Sequence, residues 1–425
     1  MASPERAPQA PTRRRRLVRA VAVVAAVVVL LPLALLAFVA MVDWNRAKPW
    51  LVERASGAVG RTVAIDGDLD VAWQWRRVDG DGTAWSPGLH VRASGVRVAN
   101  ASWARVPSAA TFDRIEADLR AWPLLVRRID LATIRVEGPR VDIERRDDGS
   151  DNWTFERAAG DAGGWSVVVG DVVLGAGAID VRDAQRRLDV HATIEPLAEP
   201  VPFGARVDGD DPSMRRDVIR FVGKAAAQRL RDAAREREQR RLEQGTAAKT
   251  PPYRFAFSAK GTLAGMDLAG KGRFGGVLAL RRPEPFPLRA DIDVGSTQIA
   301  LTGTVTDPAS PDAVDMRLWI SGRNLAHLYD ILGIALPKSP PYATVGRLAG
   351  RFDPNRTMLR YEDFTARVGG SDLAGTLTYR SGEPRPTLSG EVDSSLLRLR
   401  DLGAVVGAGS AEERAARGDR GAPPA

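Results

Sequence analysis

The sequence predicts a mainly β protein: an N-terminal transmembrane helix followed by an elongated, strongly curved antiparallel β-sheet that resembles a groove. Three observations carry this reading. Residues 20–42, AVAVVAAVVVLLPLALLAFVAMV, contain no charge. From residue 63 onward, apolar residues recur at every second position in short runs, the period of a strand with one buried face. Glycine (41) and proline (28) are frequent and aromatic residues few (6%), which suits many short strands and turns better than a helical bundle. Three helical stretches interrupt the pattern: a juxtamembrane helix, a long charged insertion and a short helix near 324–336.

At about 1.5 Å per residue, 20–42 extends about 34 Å, enough to cross a hydrocarbon core of about 30 Å. Pro32 lies mid-span, where a membrane helix tolerates a kink. Arg13, Arg14, Arg15, Arg16 and Arg19 precede the span and Asp43 follows it. The positive-inside rule then makes 1–19 a cytoplasmic basic tail and places the remainder outside the cytoplasm. A cleaved signal peptide fits less well, because the apolar run is long and Phe38 stands where a small residue is needed before Ala40. Trp44 and Trp50 are then expected at headgroup level.

Beyond the span, Leu51, Val52, Ala55, Ala58 and Val59 recur at helical spacing, Pro49 suits a first turn and Gly60 a stop. Val63 and Ile65 share one strand face, and Leu69, Val71, Trp73 and Trp75 another. Asp66-Gly67-Asp68 between them reads as a hairpin turn rather than a calcium loop, since the twelve-residue ligand pattern is missing.

Alternation continues through a first β region, 43–195. A linker and charged helical insertion occupy 196–252; Met214, Val218, Phe221, Val222, Ala225 and Leu230 mark an apolar face in the first half of the helix. It reads as a solvated insertion resting one face on the sheet, with a basic membrane-binding or partner-binding helix as the rival. A second β region spans 253–407. In it glycine recurs on the apolar parity, as in Leu301-Thr-Gly303-Thr-Val305, Leu348-Ala-Gly350-Arg-Phe352 and Leu373-Ala-Gly375-Thr-Leu377. Glycine weakens a strand unless a bend or a close approach needs it. A curved sheet with an apolar concave side and a sandwich with ordinary bulges both fit. Asn324 caps a short helix bearing Leu325, Leu328, Ile331 and Leu332, and 408–425 reads as a disordered polar tail.

Function classes narrow by absence of motifs. There is no cysteine, so disulfides, thiol catalysis and Cys-ligated metals are excluded. The net charge of +8 is concentrated in 13–19 and 213–244, which does not imply a nucleic-acid surface. His90, His191 and His327 are scattered, and no nucleophile or phosphate-loop motif is present. The expectation is a non-enzyme without cofactor or metal.

The stretch DWNRAKPWLVERASGAVGRTVAIDGDLDVAWQW (43–75), directly after an N-terminal span, resembles the start of the AsmA family of bacterial envelope proteins. VRVANASWA (96–104), LRAWPLLVRRIDLATIRVEGPRVDIERRDDGSDNWTF (119–155) and LAHLYDILGIALPKSPPY (325–342) follow in the family's order. The charged insertion does not match it. The resemblance implies a single-pass bacterial inner-membrane protein with its bulk in the periplasm, related to bridge-like lipid-transfer proteins. It further implies phospholipid in an apolar groove and a part in outer-membrane biogenesis. The alternative is a structural or regulatory factor for outer-membrane protein assembly that binds envelope protein partners and carries no lipid. Under the first reading a lipid would meet Trp44, Trp50, Leu51, Val52, Val63 and Ile65 first. The groove would be lined by Leu301, Gly303, Val305, Leu348, Gly350, Phe352, Leu373, Gly375 and Leu377. Family members commonly continue into more β structure beyond about residue 407, so a short groove needing a partner and a shorter member are both compatible.

Overall fold

The computed structural model describes residues 41–77, 85–124, 126–154, 166–203, 219–220, 223–243, 250–276, 285–306, 313–332, 336–351, 357–381 and 387–402. These are mainly β, with eighteen strands in one large mixed sheet that is not closed. The chain divides into two compact units: 1–98, 112–136 and 156–173 form the first, and 99–111, 137–155 and 174–425 the second. The expected membrane span lies outside the described residues except for 41–42, and the expected tail 408–425 lies wholly outside them. No helix among the described residues is long and apolar enough to cross a membrane.

The first unit opens with helix α1 (Trp44–Val59). Asp43 caps it by accepting the Asn45 amide at 3.1 Å. Gly60 ends it at φ 74°, in the left-handed region where glycine carries no Cβ penalty. Strands β1 (Val63–Ile65) and β2 (Leu69–Arg77) both pair antiparallel with β3 (Trp85–Ala99). The expected hairpin at 66–68 is therefore corrected. Ile65 faces Val96 and Leu69 faces Ala93, so three residues oppose two and one edge continues through a bulge. The amides of Asp66 and Gly67 donate to the carbonyls of Gly95 and Ser94, and Gly95 adopts φ +62° to present them. Turn composition is common to hairpins and bulges, and only the pairing partner separates the two.

Helix α1 is pinned to this bulged edge. The Leu69 amide donates to Asn45 Oδ1 (3.1 Å) and the Val63 amide to Ser56 Oγ (2.8 Å). The rest of this unit comprises the second half of β4 (Ser108–Arg120), a single helical turn α2 (Ala121–Leu124), and the paired strands β5 (Arg128–Glu137) and β7 (Ser166–Leu174). Asp118 on β4 is almost fully buried. Gln74 (2.7 Å), His90 Nδ1 (2.7 Å) and Arg135 (3.2 Å) converge on its carboxylate, so its burial is compensated by hydrogen bonds.

In the second unit β6 (Arg140–Arg145) runs parallel to β8 (Gly177–Asp183), with Val141 opposite Ile179 and Ile143 opposite Val181. This corrects the expectation of a purely antiparallel sheet. A parallel pair needs a crossover of a dozen or more residues, and 146–176 supplies one. Part of it, 146–154, folds against β6 around Asn152. The Asn152 side chain donates to Asp142 O (2.9 Å) and Asn100 Oδ1 (3.0 Å) and accepts from the Glu144 amide (2.8 Å).

From β8 the chain meanders antiparallel through β9 (Leu188–Val201), β10 (Tyr253–Leu263), β11 (Met266–Phe274), β12 (Pro285–Val294), β13 (Thr297–Thr306), β14 (Ala313–Gly322), β15 (Tyr342–Arg351), β16 (Met358–Val368), β17 (Ser371–Arg380) and β18 (Thr387–Asp393). The charged insertion contains helix α3 (Lys224–Glu243). It rests on the sheet through Ala227, 0% exposed among Ala300, Trp319, Ala343 and Val345, with Ile219 beside them. Of the expected apolar face only Ala225 can be placed. Ala225 is exposed, the side chain of Leu230 is not described, and Met214, Val218, Phe221 and Val222 lie outside the described residues. Small Ala227 lets the helix approach Trp319 closely, which a hydrophobicity pattern does not reveal. The helix expected near 324–336 is a 3-10 turn (Leu325–His327) running into α4 (Leu328–Leu332), with Asn324 Oδ1 accepting the amides of Ala326 and Ser339. It packs Leu325, Leu328 and Ile331 against Ile320, Tyr342 and Val368.

Candidate functional site

Residues paired directly across an antiparallel ladder lie on the same face, so the register defines what each face carries. One row runs Leu288, Gly303, Met316, Leu348, Tyr361, Leu377, Gly390 from β12 to β18. A second runs Phe286, Val305, Val314, Gly350, Leu359, Tyr379, Leu388 across the same strands. A third joins Ala290, Leu301, Leu318 and Gly346. None of the three rows contains a charged residue.

The structure therefore brings Leu301, Gly303, Val305, Leu348, Gly350 and Leu377 together on adjacent rows. Leu373 and Gly375 join the same face through Ala366 and Phe364. They do so because the register shifts between Tyr361 and Phe364, which stacks both rings on one side with centroids 5.4 Å apart. Phe352 lies outside the described residues. The aliphatic positions Leu301, Val305, Leu348, Leu373 and Leu377 are half-buried. Sequence reasoning passed over the aromatic continuation of this face. Phe255, Phe274 and Phe286 form a stacked run with centroids 5.3 and 6.0 Å apart. The signal was available as phenylalanines on the same strand parity as the glycines.

The glycines have a physical role at specific places. A Cβ built on Gly303 would meet the Asp315 carbonyl of β14, and one on Gly350 the Met358 carbonyl of β16, each closer than 3.0 Å. Gly272, Gly375 and Gly390 have the same relation to a neighbouring strand's carbonyl, whereas a Cβ on Gly270 would meet nothing closer than Ile292 Cγ1 at 3.6 Å. Where these glycines stand, adjacent backbone occupies the volume of a side chain.

The opposite face carries charged residues beside the apolar patch on which α3 rests. Arg347 binds Asp315 in a two-pronged contact (2.9 and 3.1 Å) and Glu362 at 3.1 Å. The hydrogen bonds to Asp315 raise the guanidinium pKa above its usual value. Along β14 and β15 the charge-free residues alternate with this second face, which is ionic at Asp315, Arg317 and Arg347 and apolar at Trp319, Ala343 and Val345 beneath α3.

In α1 and β1, Trp50 is 61% exposed, with the Arg54 guanidinium 5.9 Å from its ring centre. Trp44, Leu51, Val52 and Ile65 are half-buried. Val63 is buried, and its amide donates to Ser56 Oγ of α1. Among the described residues no group of three or more His, Asp or Glu could hold a metal ion.

The family model described as the AsmA family matches residues 13–423. The chain belongs to the AsmA family. An AsmA family relative from Escherichia coli (strain K12), the AsmA family protein YhjG, is 32% identical over 393 residues, covering 90% of this chain and 53% of YhjG. The chain thus spans about half the length of this curated AsmA relative. No solved structure matches.

Proposed function

We propose that this AsmA family protein acts in the bacterial cell envelope, where its apolar face shelters the acyl chains of phospholipid during outer-membrane biogenesis. Residues 20–42 anchor it in the inner membrane, and the β-rich bulk lies in the periplasm. The observation that carries the reading is the set of charge-free rows from β12 to β18, with Leu301, Val305, Leu348 and Leu377 half-buried. Family membership supports the envelope setting. Close backbone approach at Gly303 and Gly350 supports a sheet bent toward this face, since a strand lacking a Cβ there can fold inward over its neighbour. Transfer along such a face needs no covalent step. Each methylene kept from water saves about 0.8 kcal/mol, so a chain of about fifteen is held by roughly 12 kcal/mol.

A second reading, an envelope factor that binds protein partners and carries no lipid, draws on the α4 end of the face. There Ile320, Tyr342 and Val368 are covered by the protein's own Leu325 and Leu328. The two readings separate on one experiment. The full chain is purified in mild detergent, bound lipid is identified by mass spectrometry, and photocrosslinkers are placed at Leu301, Leu348 and Leu373. Lipid adducts at these positions support sheltering of acyl chains. Protein adducts alone, with no co-purified phospholipid, select the second reading. Replacing Leu51 and Val52 by serine is expected to lower lipid loading while the distal strands stay folded.

A further inference from the structure

Four large apolar side chains of the first unit, Trp75, Trp122, Val126 and Val167, are between 58% and 75% exposed. They come from three separate stretches of chain, and the pairings gather them at one end of the strands. Trp75, near the end of β2, stands opposite Pro87 on β3. The next residue, Gly88, lies against β4, where its Cβ would meet the Leu119 carbonyl at 2.7 Å. Trp75 is thus two strand spacings, roughly 10 Å, from the turn α2 that carries Trp122. On the far side of that turn the Ser166 amide donates to the Arg127 carbonyl (3.0 Å), which sets the start of β7 against the residue after Val126.

The rim of this group is basic. Arg120, Arg127 and Arg128 border it, and all three are exposed. Asp130 is buried and accepts from Arg120 at 3.5 Å, with Arg128 at 3.8 Å. Three guanidinium groups against one buried carboxylate leave positive charge around exposed tryptophan and valine. Contiguous exposed apolar residues mark an interaction surface. Tryptophan beside arginine is the composition of a membrane interface, where the indole sits at headgroup level and the guanidinium meets anionic headgroups. The bilayer is also within reach. Under the proposed anchor the chain leaves the membrane at residue 42, and Asn45 of α1 holds the Leu69 amide at the start of β2. Leu69 and Trp75 are separated by about 20 Å of extended strand.

We propose that Trp75, Trp122, Val126 and Val167 form a second membrane contact, which docks the first unit onto an anionic phospholipid surface with Arg120, Arg127 and Arg128 among the headgroups. The contact rests on the anchor of the proposed function and not on the lipid cargo. With α1 at one end of β2 and this group at the other, the first unit is held to the bilayer at two points and its orientation is fixed.

The absence of cysteine allows a single environment-sensitive label at a chosen position. Full-length Val126→Cys and Val167→Cys are labelled and reconstituted into phosphatidylcholine vesicles with and without phosphatidylglycerol. With phosphatidylglycerol, lipid-borne nitroxide is expected to quench both labels, and access of aqueous iodide to fall several-fold. Arg127→Gln with Arg128→Gln should return the Val126→Cys readings to the phosphatidylcholine level, with circular dichroism unchanged. Carbonate extraction reports the anchor separately. A chain that carbonate strips from the vesicles overturns the anchor and the proposal with it. An anchored, folded chain whose labels stay open to iodide in both vesicles overturns the docking alone and assigns the patch to a protein partner. Nitroxide quenching that responds neither to lipid charge nor to the arginine replacements overturns it as well.

Discussion

The carbonyl oxygen of Asp315 on β14 occupies the space into which a Cβ of Gly303 on β13 would project. A side chain there must displace backbone, which has no rotamer by which to yield. Gly303→Val and Gly350→Val are therefore expected to destabilise the fold by about 1–3 kcal/mol each through overpacking. Gly270→Ala is the control. Its Cβ would make an ordinary 3.6 Å contact with Ile292, so it is expected to be neutral or stabilising by up to about 1 kcal/mol. Urea midpoints of the three variants check the contrast.

Asn152 satisfies three groups at once: the Asp142 carbonyl, the Asn100 side chain and the Glu144 amide. It is fully buried, so Asn152→Ala strands those groups without water. A loss of about 2–4 kcal/mol is expected, from one or two buried polar groups left unpaired at about 1–3 kcal/mol each. Asp148→Ala, a few residues away on the exposed turn, should change stability by less than about 0.5 kcal/mol.

Ala227 is the point at which α3 meets Trp319 and Ala343. Ala227→Asp places a carboxylate in that apolar contact, and the helix is expected to release rather than bury the charge. Limited proteolysis should then cut within 224–243 while the strands stay resistant. Simultaneous loss of strand protection would mean that the helix is integral to the sheet and not an insertion resting on it.

At Asp401, loss of hydration pushes the carboxyl up, but donation from the Gly370 amide and the Ser371 hydroxyl outweighs it and holds the pKa below 3.8. A lowered folded value means that its contribution to stability is fully present above pH 3.8 and is lost as pH falls through the folded value. Hydrogen exchange at Gly370, corrected for intrinsic rate, should therefore rise on acidification below about pH 4. Asp401→Asn should abolish that rise. Asp142 has the opposite sign. Desolvation raises its carboxyl despite Arg182 and Asn100, so its contribution declines as pH rises through the raised value.

Much of the candidate face was legible before any coordinates. Leu301, Gly303, Val305, Leu348 and Gly350 were selected by parity alone, because a strand alternates its side chains whatever its neighbours are. The Phe255, Phe274 and Phe286 stack needed the pairing of β10, β11 and β12 to become visible as one feature. Asn152 was readable only as part of a turn, since the groups it satisfies come from Asn100, Asp142 and Glu144.

By itself the amino-acid sequence determined the strand periodicity, the stop of α1 at Gly60, the cap of the short helical segment at Asn324, and the glycines on the apolar parity. Each depends on dihedral preferences and hydrogen bonds within a few residues. Tertiary structure decided that 66–68 is a bulge, that β6 and β8 run parallel, and that α3 docks through Ala227. Those outcomes depend on which distant strand supplies the partner. Closing a long loop adds little cost per residue, so competing pairings are settled by the contacts made after closure.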